Sequence, residues 1–345
     1  MTPHHRLRTV LVTGGCGFIG SHLIRHLLGS DPQVVVVNLD ALTYAGIPER
    51  LAEVASAHAS RYRFRHGDVC DDQLVERIFQ EHGPDTVIHL AAESHVDRAI
   101  SGPDRFMRTN VLGTMTLLKA AHFAWQGRTD VRFHQVSTDE VFGSLPSTGL
   151  FTESLPYRPS NPYSATKAAA DHLVQAWHHT YGLPVTISYG TNTYGPQQFP
   201  EKLIPLAITR ALAGQPIPLY GDGQHIRDWM YVDDHVRGIE AIVRTAETGG
   251  RFLVGSHQEL TNRDLLERLC RVLDQQRPRH SGAKHRDLMV SAADRPGHDR
   301  RYASDTSHLR ATLGWRAEVG IDEGLLRTVR WHVEQTGTEG DAVLK

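Results

Sequence analysis

The sequence predicts an α/β protein: a doubly wound parallel sheet with a smaller mixed α/β unit beside it. Three observations carry that expectation. The first half alternates short β-branched runs with stretches of helical periodicity, the pattern of strands covered by helices. Runs such as Val34-Val35-Val36-Val37 are apolar without alternation, as strands buried on both faces require. A glycine-rich turn joins the first strand run to the first helical one.

Taken in order, strands are predicted at Arg8–Thr13, Gln33–Leu39, Tyr62–His66, Thr86–Leu90, Arg132–Ser137 and Val185–Ser188. Between them, Ser21–Leu28, Asp71–Glu81, Phe106–Ala124 and Ala165–Tyr181 place apolar residues at three- and four-residue spacing and are predicted helices. After Tyr194 the texture changes to Gly195-Pro196, Phe199-Pro200, Pro216-Ile217-Pro218 and Gly221-Asp222-Gly223, which reads as loops wrapping a ligand. A helix at Asn262–Leu273 and a polar segment at Arg277–His285 follow. The last residues, Thr336–Lys345, are expected to fray.

Length and charge narrow the function classes. The chain has 345 residues, enough for about two domains at roughly 150 residues each. Its 37 Lys+Arg balance 39 Asp+Glu for a net charge of -2, which argues against nucleic acid or a membrane surface as main partner. Mean hydropathy is -0.36, and no apolar run approaches the roughly 20 residues of a membrane span. Met1–Arg8 lacks the apolar stretch of a signal peptide, so a cytoplasmic location is expected. Cys16, Cys70 and Cys270 are odd in number and far apart, which suits a reducing compartment. The 22 histidines show no zinc-ligand spacing: His4-His5 and His178-His179 are adjacent pairs, and His-Glu-x-x-His is absent. Most are expected to be solvated surface groups, and no metal is expected.

Strand one ends in Thr13-Gly14-Gly15-Cys16-Gly17-Phe18-Ile19-Gly20, and a helix opens at Ser21. Glycines 14, 17 and 20 permit the tight turn, close approach of backbone amides to a pyrophosphate, and close helix–strand packing. Strand two ends at Asp40, 20 residues beyond Gly20, where a carboxylate accepts bonds from an adenosine ribose and repels a 2′-phosphate, favouring NAD over NADP. Asp68 and Val69 follow strand three, and Leu90-Ala91-Ala92 follow strand four, at the carboxyl edge where doubly wound Rossmann sheets bind ligands.

Tyr163-Ser164-Ala165-Thr166-Lys167 puts a phenol and an ammonium at i, i+4 on one helix face. The cation is expected to draw the phenol's pKa down from about 10, making Tyr163 a general base. One helix earlier, strand five runs into Thr138-Asp139-Glu140, a hydroxyl and two consecutive carboxylates. Adjacent acids repel, so one is expected to keep its proton and the pair to offer an acid beside a base.

These residues resemble the extended short-chain dehydrogenases/reductases, and within them the nucleoside-diphosphate-sugar 4,6-dehydratases, nearest to the branch acting on dTDP-glucose. The resemblance runs from about Thr9 to Trp315 and includes Asp40-Ala41-Leu42-Thr43-Tyr44-Ala45-Gly46, Ala91-Ala92-Glu93-Ser94-His95-Val96-Asp97-Arg98, Phe199-Pro200-Glu201-Lys202-Leu203-Ile204-Pro205, Ile226-Arg227-Asp228-Trp229 and Asp294-Arg295-Pro296-Gly297-His298-Asp299. Thr138-Asp139-Glu140 is its most diagnostic part. It implies that Tyr163, tuned by Lys167 and Thr138, deprotonates the sugar 4-hydroxyl, that Glu140 takes the carbon-5 proton, and that protonated Asp139 gives a proton to the departing 6-hydroxyl. NAD would be held by Gly14, Gly17, Phe18, Ile19, Asp40, Leu42, Thr43, Asp68, Val69, Leu90, Ala91, Ala92, Ser94, Thr109, Tyr163, Lys167 and Thr193. The nucleoside-diphosphate sugar would meet Ser94, Thr138, Asn192, Lys202, Leu203, Pro218, Leu219, Tyr220, Leu253, Arg295 and His298, with Arg227 as a bidentate diphosphate clamp.

The resemblance also implies an NAD-binding Rossmann domain at 1–190 with a returning segment near 228–255, and a nucleotide-sugar domain at 191–227 and 256–330. A homodimer pairing helices near Phe106–Ala124 and Ala165–Tyr181 is implied as well. Three departures, at Tyr189, Thr193 and Leu253, touch specificity. Tyr189-Gly190-Thr191-Asn192-Thr193 stands where the family pattern reads Arg-x-Ser-Asn-Asn, and Leu253 replaces an asparagine. Thr193 is expected beside the nicotinamide and Leu253 near the nucleotide. A UDP-sugar or N-acetylhexosamine substrate, other regiochemistry, and epimerisation stay open.

Overall fold

Strands and helices follow from where the chain can bury apolar side chains on two faces at once. The computed structural model describes residues 4–294 and 297–342, with side chains described through 336. The strands are β1 (Thr9–Thr13), β2 (Val35–Asp40), β3 (Tyr62–His66), β4 (Thr86–His89), β5 (Arg132–Thr138), β6 (Val185–Gly190), β7 (Asn192–Tyr194), β8 (Ile217–Tyr220), β9 (Ile226–Tyr231), β10 (Arg251–Val254), β11 (Glu259–Thr261) and β12 (Met289–Ala292). Seven pair in parallel in the order β10-β6-β5-β4-β1-β2-β3, so the order reverses at β1 and β4. Register opposes Leu11 to Val37 and Thr138 to Gly190. Ligands bind such sheets at the carboxyl ends, where the order reverses.

Alternate residues of the same strands enter different cores. Val10, Val12 and Val36 pack with the helices Phe18–Ser30 and Val232–Thr245. Leu11, Val37, Leu39 and Val87 pack with Asp72–His82, Gly113–Ala124 and Pro162–Tyr181 on the opposite face. Each such buried side chain contributes about 1.5–3 kcal/mol of apolar transfer, which is why these strands read as continuous apolar runs.

The helices start where their caps put them. Asp71 accepts from the Leu74 amide and Gly83 closes the same helix at φ 53. Asn161 and Ser164 form a reciprocal capping box with Pro162 behind it, setting Pro162–Tyr181. This start precedes the predicted Ala165 and brings Tyr163 inside the first turn. The predicted helix Phe106–Ala124 is a rod of three parts: an α-turn at Pro103–Phe106, a π-helix at Met107–Leu112 and an α-helix at Gly113–Ala124.

The second half is more regular than its prolines suggested. The expected ligand-wrapping loops contain the helix Leu203–Leu212 and the strands β8 and β9. Pro218 is accommodated because β8 pairs only with β12, leaving an edge that needs no donor. β9 lies between β7 and β11, and β10 returns beside β6. The closing helix is described through Ala342; residues 343–345 of the tail expected to fray lie outside the described ones.

The expectation of solvated histidines fails at His5, His89, His134, His225, His235 and His285, all buried. Neutral imidazole is tolerated in a core when hydroxyls satisfy it. His89 bonds Thr13 at 2.7 Å and Thr114 at 3.0 Å, and His134 bonds Thr186 at 2.9 Å and Ser188 at 3.0 Å.

Candidate active site

At the end of β1 the chain turns through Gly14, whose φ is +70° and on which a Cβ would stand 2.8 Å from Ala91 Cα. A Cβ on Gly20 would meet the Gly14 carbonyl oxygen at 2.3 Å. Only glycine lets the helix Phe18–Ser30 begin this close to the strand. That helix has no side-chain cap, so its first N–H groups remain available as donors toward the cleft. At the end of β2, Asp40 accepts from the amides of Cys16 and Leu42, both at 2.8 Å. Burial pushes its pKa up against those bonds.

One cleft of about 350 Å³ gathers Gly14, Gly17, Phe18, Ile19, Asp40, Thr43, Asp68, Val69, Leu90, Ala91, Ala92, Ser94, Thr109, Thr138, Glu140, Tyr163, Lys167, Asn192, Thr193 and Lys202. Uncapped helix donors, a backbone without obstructing side chains and an acid at the end of β2 fit a dinucleotide whose adenosine ribose carries free hydroxyls.

On the other wall, β5 delivers Thr138 and Glu140 to the cleft and buries Asp139 beneath it. Asp139 is 1% exposed, and its Oδ2 makes no hydrogen bond among the described residues. Burial first, then the neighbouring charges of Glu140 and Asp228, hold its pKa well above the carboxylate range. Its surroundings therefore favour the protonated acid. Facing it, Lys167 Nζ donates to the Val136 carbonyl at 2.8 Å, and burial lowers the ammonium's pKa.

Tyr163 departs from the expectation of a depressed pKa. Burial, Glu140 and Asp139 push the phenol well above 10, and only the Thr138 hydroxyl among the leading causes favours its charged form. Lys167 gives one N–H to a backbone carbonyl, and two carboxyl groups stand close to the phenol.

This arrangement can be set beside known proteins. A family model described as GDP-mannose 4,6 dehydratase matches residues 11–328. The chain belongs to that dehydratase family. It is 48% identical over 335 residues to a dTDP-glucose 4,6-dehydratase of Neisseria gonorrhoeae, covering 95% of this chain and 96% of the relative. It is 47% identical over 341 residues to dTDP-glucose 4,6-dehydratase 1 of Escherichia coli, covering 95% and 93%. A crystal structure of dTDP-glucose 4,6-dehydratase from Streptomyces venezuelae with NAD bound superposes with a TM-score of 0.86 at 46% identity, covering 95% of this chain and 98% of that one. A UDP-glucose 4-epimerase from Thermotoga maritima shares the fold at a TM-score of 0.84 and 28% identity, covering 95% and 99%.

Not every expected residue of this dehydratase lines the cleft. Leu42 packs against the core with φ +50°. Leu203 opens the helix after Lys202, whose Nζ donates to the Ser94 carbonyl at 3.1 Å. Pro218, Leu219 and Tyr220 form β8 in the separate two-stranded sheet. Arg227 is 6% exposed, donates to the carbonyls of Ile226 and Asp299, and lies 4.2 Å from the Tyr302 ring centroid. The expected diphosphate clamp is thus buried and held by two backbone carbonyls and a ring face.

Leu253 is fully buried opposite Tyr189 in the core, so its side chain cannot serve a ligand. Two of the three family departures, Tyr189 and Leu253, are neighbours across one strand pair, which neither position alone could reveal. His298 stacks on His225 at 3.6 Å and bonds Asp294 at 2.7 Å; Arg295 lies outside the described residues. His225, Asp294 and His298 group three ligand atoms within 4.8 Å, a juxtaposition absent from the sequence spacing.

Sequence reasoning missed His235, which lines the cleft and bonds Thr193 at 2.9 Å. It also missed Asn110, in the π-helix, which ties Glu93 to Thr166. A π-turn is a common mark of functional positions, but it has no sequence signal at this site.

Proposed function

We propose that this chain dehydrates a nucleoside-diphosphate hexose, dTDP-glucose, to its 4-keto-6-deoxy derivative, with NAD recycled in each turnover. The observation that carries the reading is the buried Asp139 beside Glu140, just past the end of β5, where Glu140 shares one cleft with Tyr163 and Lys167. Simple epimerisation has no use for such a pair. Tyr163 takes the 4-hydroxyl proton, with Thr138 holding its oxygen. NAD, held in the cleft by the Gly14–Gly20 turn and Asp40, would supply the hydride acceptor for carbon 4 and the hydride donor for carbon 6. The 4-ketone acidifies the carbon-5 hydrogen, which Glu140 removes. Asp139 gives its proton to the departing 6-hydroxyl, which leaves as water; Glu140 returns its proton to carbon 5 when carbon 6 gains the hydride, and the proton that Tyr163 took restores Asp139 through solvent.

Residues 1–190 with 228–255 hold the cofactor, and 191–227 with 256–330 hold the nucleotide sugar. The return of β10 to the main sheet supports this division. The enzyme acts as a homodimer: Met107, Leu112, Phe123 and Tyr181 leave an exposed apolar face on the two helices expected to pair. No helix among the described residues is long and apolar enough to cross a membrane, and three free cysteines suit the cytoplasm.

The test is direct. Purified protein given dTDP-glucose forms a product absorbing in alkali without net NADH, and Asp139→Asn and Glu140→Gln each lose dehydration. Wild-type rates in both variants would overturn the assigned roles.

A further inference from the structure

Tyr163, Lys167 and Asp171 recur at four-residue spacing on one face of the helix Pro162–Tyr181. The third member is absent from the reaction described above, yet it is fully buried. Ser137 Oγ donates to Asp171 Oδ2 at 2.5 Å, while Asp171 Oδ1 makes no hydrogen bond among the described residues. One residue earlier on β5, the Val136 carbonyl accepts from Lys167 Nζ at 2.8 Å. Two consecutive residues of β5 are thus tied to the helix immediately before Thr138, Asp139 and Glu140.

The groups acting on Asp171 come from every element around it. Lys167 and Tyr163 lie on its own helix, Gln135 and Ser137 on β5, Tyr189 on β6, Arg251 on β10, and Tyr157 precedes the helix. Tyr189, at the position where the family pattern has arginine, brings no charge: its hydroxyl bonds that of Tyr157 at 2.6 Å. The cations that act on Asp171 are Lys167 and Arg251.

We propose that Asp171 is a positioning residue for the dehydration: through Ser137 it locks the strand end bearing Thr138–Glu140 against the helix bearing Tyr163, and its charge keeps Lys167 protonated. The inference rests on the dehydratase reading of the cleft. Asp171 touches neither the cleft nor a reacting atom. Burial alone would drive Lys167 toward the neutral amine, and Asp171 is the group that opposes this. The same burial pushes Asp171 up to about 7, with Lys167 and the Ser137 hydroxyl pulling the other way. The two groups therefore titrate as a coupled pair.

The experiment compares wild type, Asp171→Asn, Asp171→Glu and Ser137→Ala across pH. With dTDP-glucose, Asp171→Asn lowers kcat about tenfold with KM little changed, and moves the alkaline limb of kcat to lower pH by about one unit. Asp171→Glu restores the limb. Ser137→Ala, which keeps the charge, lowers kcat without moving it. An unmoved limb in Asp171→Asn overturns the charge role.

Thermal melting without substrate supplies a reading independent of activity. The folded pKa of Asp171 lies above the unfolded value of about 4, so wild type loses stability as pH rises from there toward 7, and an asparagine does not. The melting advantage of Asp171→Asn over wild type therefore grows across that interval; a constant difference overturns the proposal. Should Asp171→Asn not fold, Ser137→Ala decides, because loss of the hydroxyl that favours the charged form moves the stability loss to higher pH. A wild type that makes no 4-keto product fails the dehydratase reading instead, and leaves the melting result standing.

Discussion

Gly20→Ala tests the geometry of the cofactor cradle. The added methyl would lie 2.3 Å from the Gly14 carbonyl oxygen and 2.7 Å from Gly15 Cα, where ordinary contact begins at 3.4 Å. Both obstacles are backbone, so no rotamer change relieves them. Gly14 cannot retreat: its amide bonds the Leu39 carbonyl at 2.9 Å, and Ala91 stands behind it. The strain falls on the start of the helix Phe18–Ser30, which must move by about 1 Å, a misplacement that costs on the order of 100-fold where geometry is decisive. NAD affinity measured by titration calorimetry should fall by that factor, about 2–3 kcal/mol, with a further 1–3 kcal/mol or so of stability lost to overpacking. Gly29→Ala, in the same helix with nothing within 4 Å of its Cβ position, should bind NAD normally and gain roughly 0.5–1 kcal/mol. A Gly20→Ala protein that binds NAD within about threefold of wild type would refute the argument that this contact sets the donors.

Other outcomes follow from the same structure. Tyr163→Phe should lower kcat by about 10³-fold in a steady-state assay with dTDP-glucose, the scale of general base catalysis. Phe123→Glu places a charge on a side chain that is 77% exposed on the apolar face, and light scattering should shift from dimer to monomer; a wild-type monomer at micromolar concentration would sink the interface. Acid should unfold the protein early. His89 and His134 are held down to about 3, and His5 and His235 to about 4, chiefly by burial. Each gains a proton only on unfolding, so stability is full above the unfolded pKa near 6.5 and falls below it. At pH 5 the fully buried ones cost on the order of 1–2 kcal/mol each, and the urea midpoint should drop accordingly between pH 7 and 5.

How much was legible depended on whether the information was local. β1, β2 and β4 declared themselves because strands buried on both faces are mostly apolar, and the glycine turn and Tyr163–Lys167 spacing are short-range geometry. β9 hid because Arg227 and Asp228 sit buried in it, paired through Asp299, Ser256 and Gln258, partners far along the chain. Leu253 was misplaced for the same reason: its neighbour Tyr189 lies in another strand. The rise of the Tyr163 pKa was invisible because it depends on carboxyl groups that folding brings close, whereas the sequence displayed only the cation one turn away. The histidines were misjudged because composition says nothing about the hydroxyls of Thr13, Thr114, Thr186 and Ser188 that satisfy His89 and His134.

The widened turn at Met107–Leu112 takes up one surplus residue without upsetting the phase of the rod. Before its end, Thr109 lines the cleft and Asn110 ties Glu93 to Thr166; beyond it, Leu117 and Ala121 fill the sheet core and Phe123 points outward. Each α-helical residue turns the chain by about 100°, and a π-turn holds one residue more than an α-turn. Removing a single residue there would therefore let the rod close into plain α-helix with the stretches on either side still in step. Such a deletion should cost the cleft the placement of Thr109 and Asn110 and leave the outward apolar side as it is.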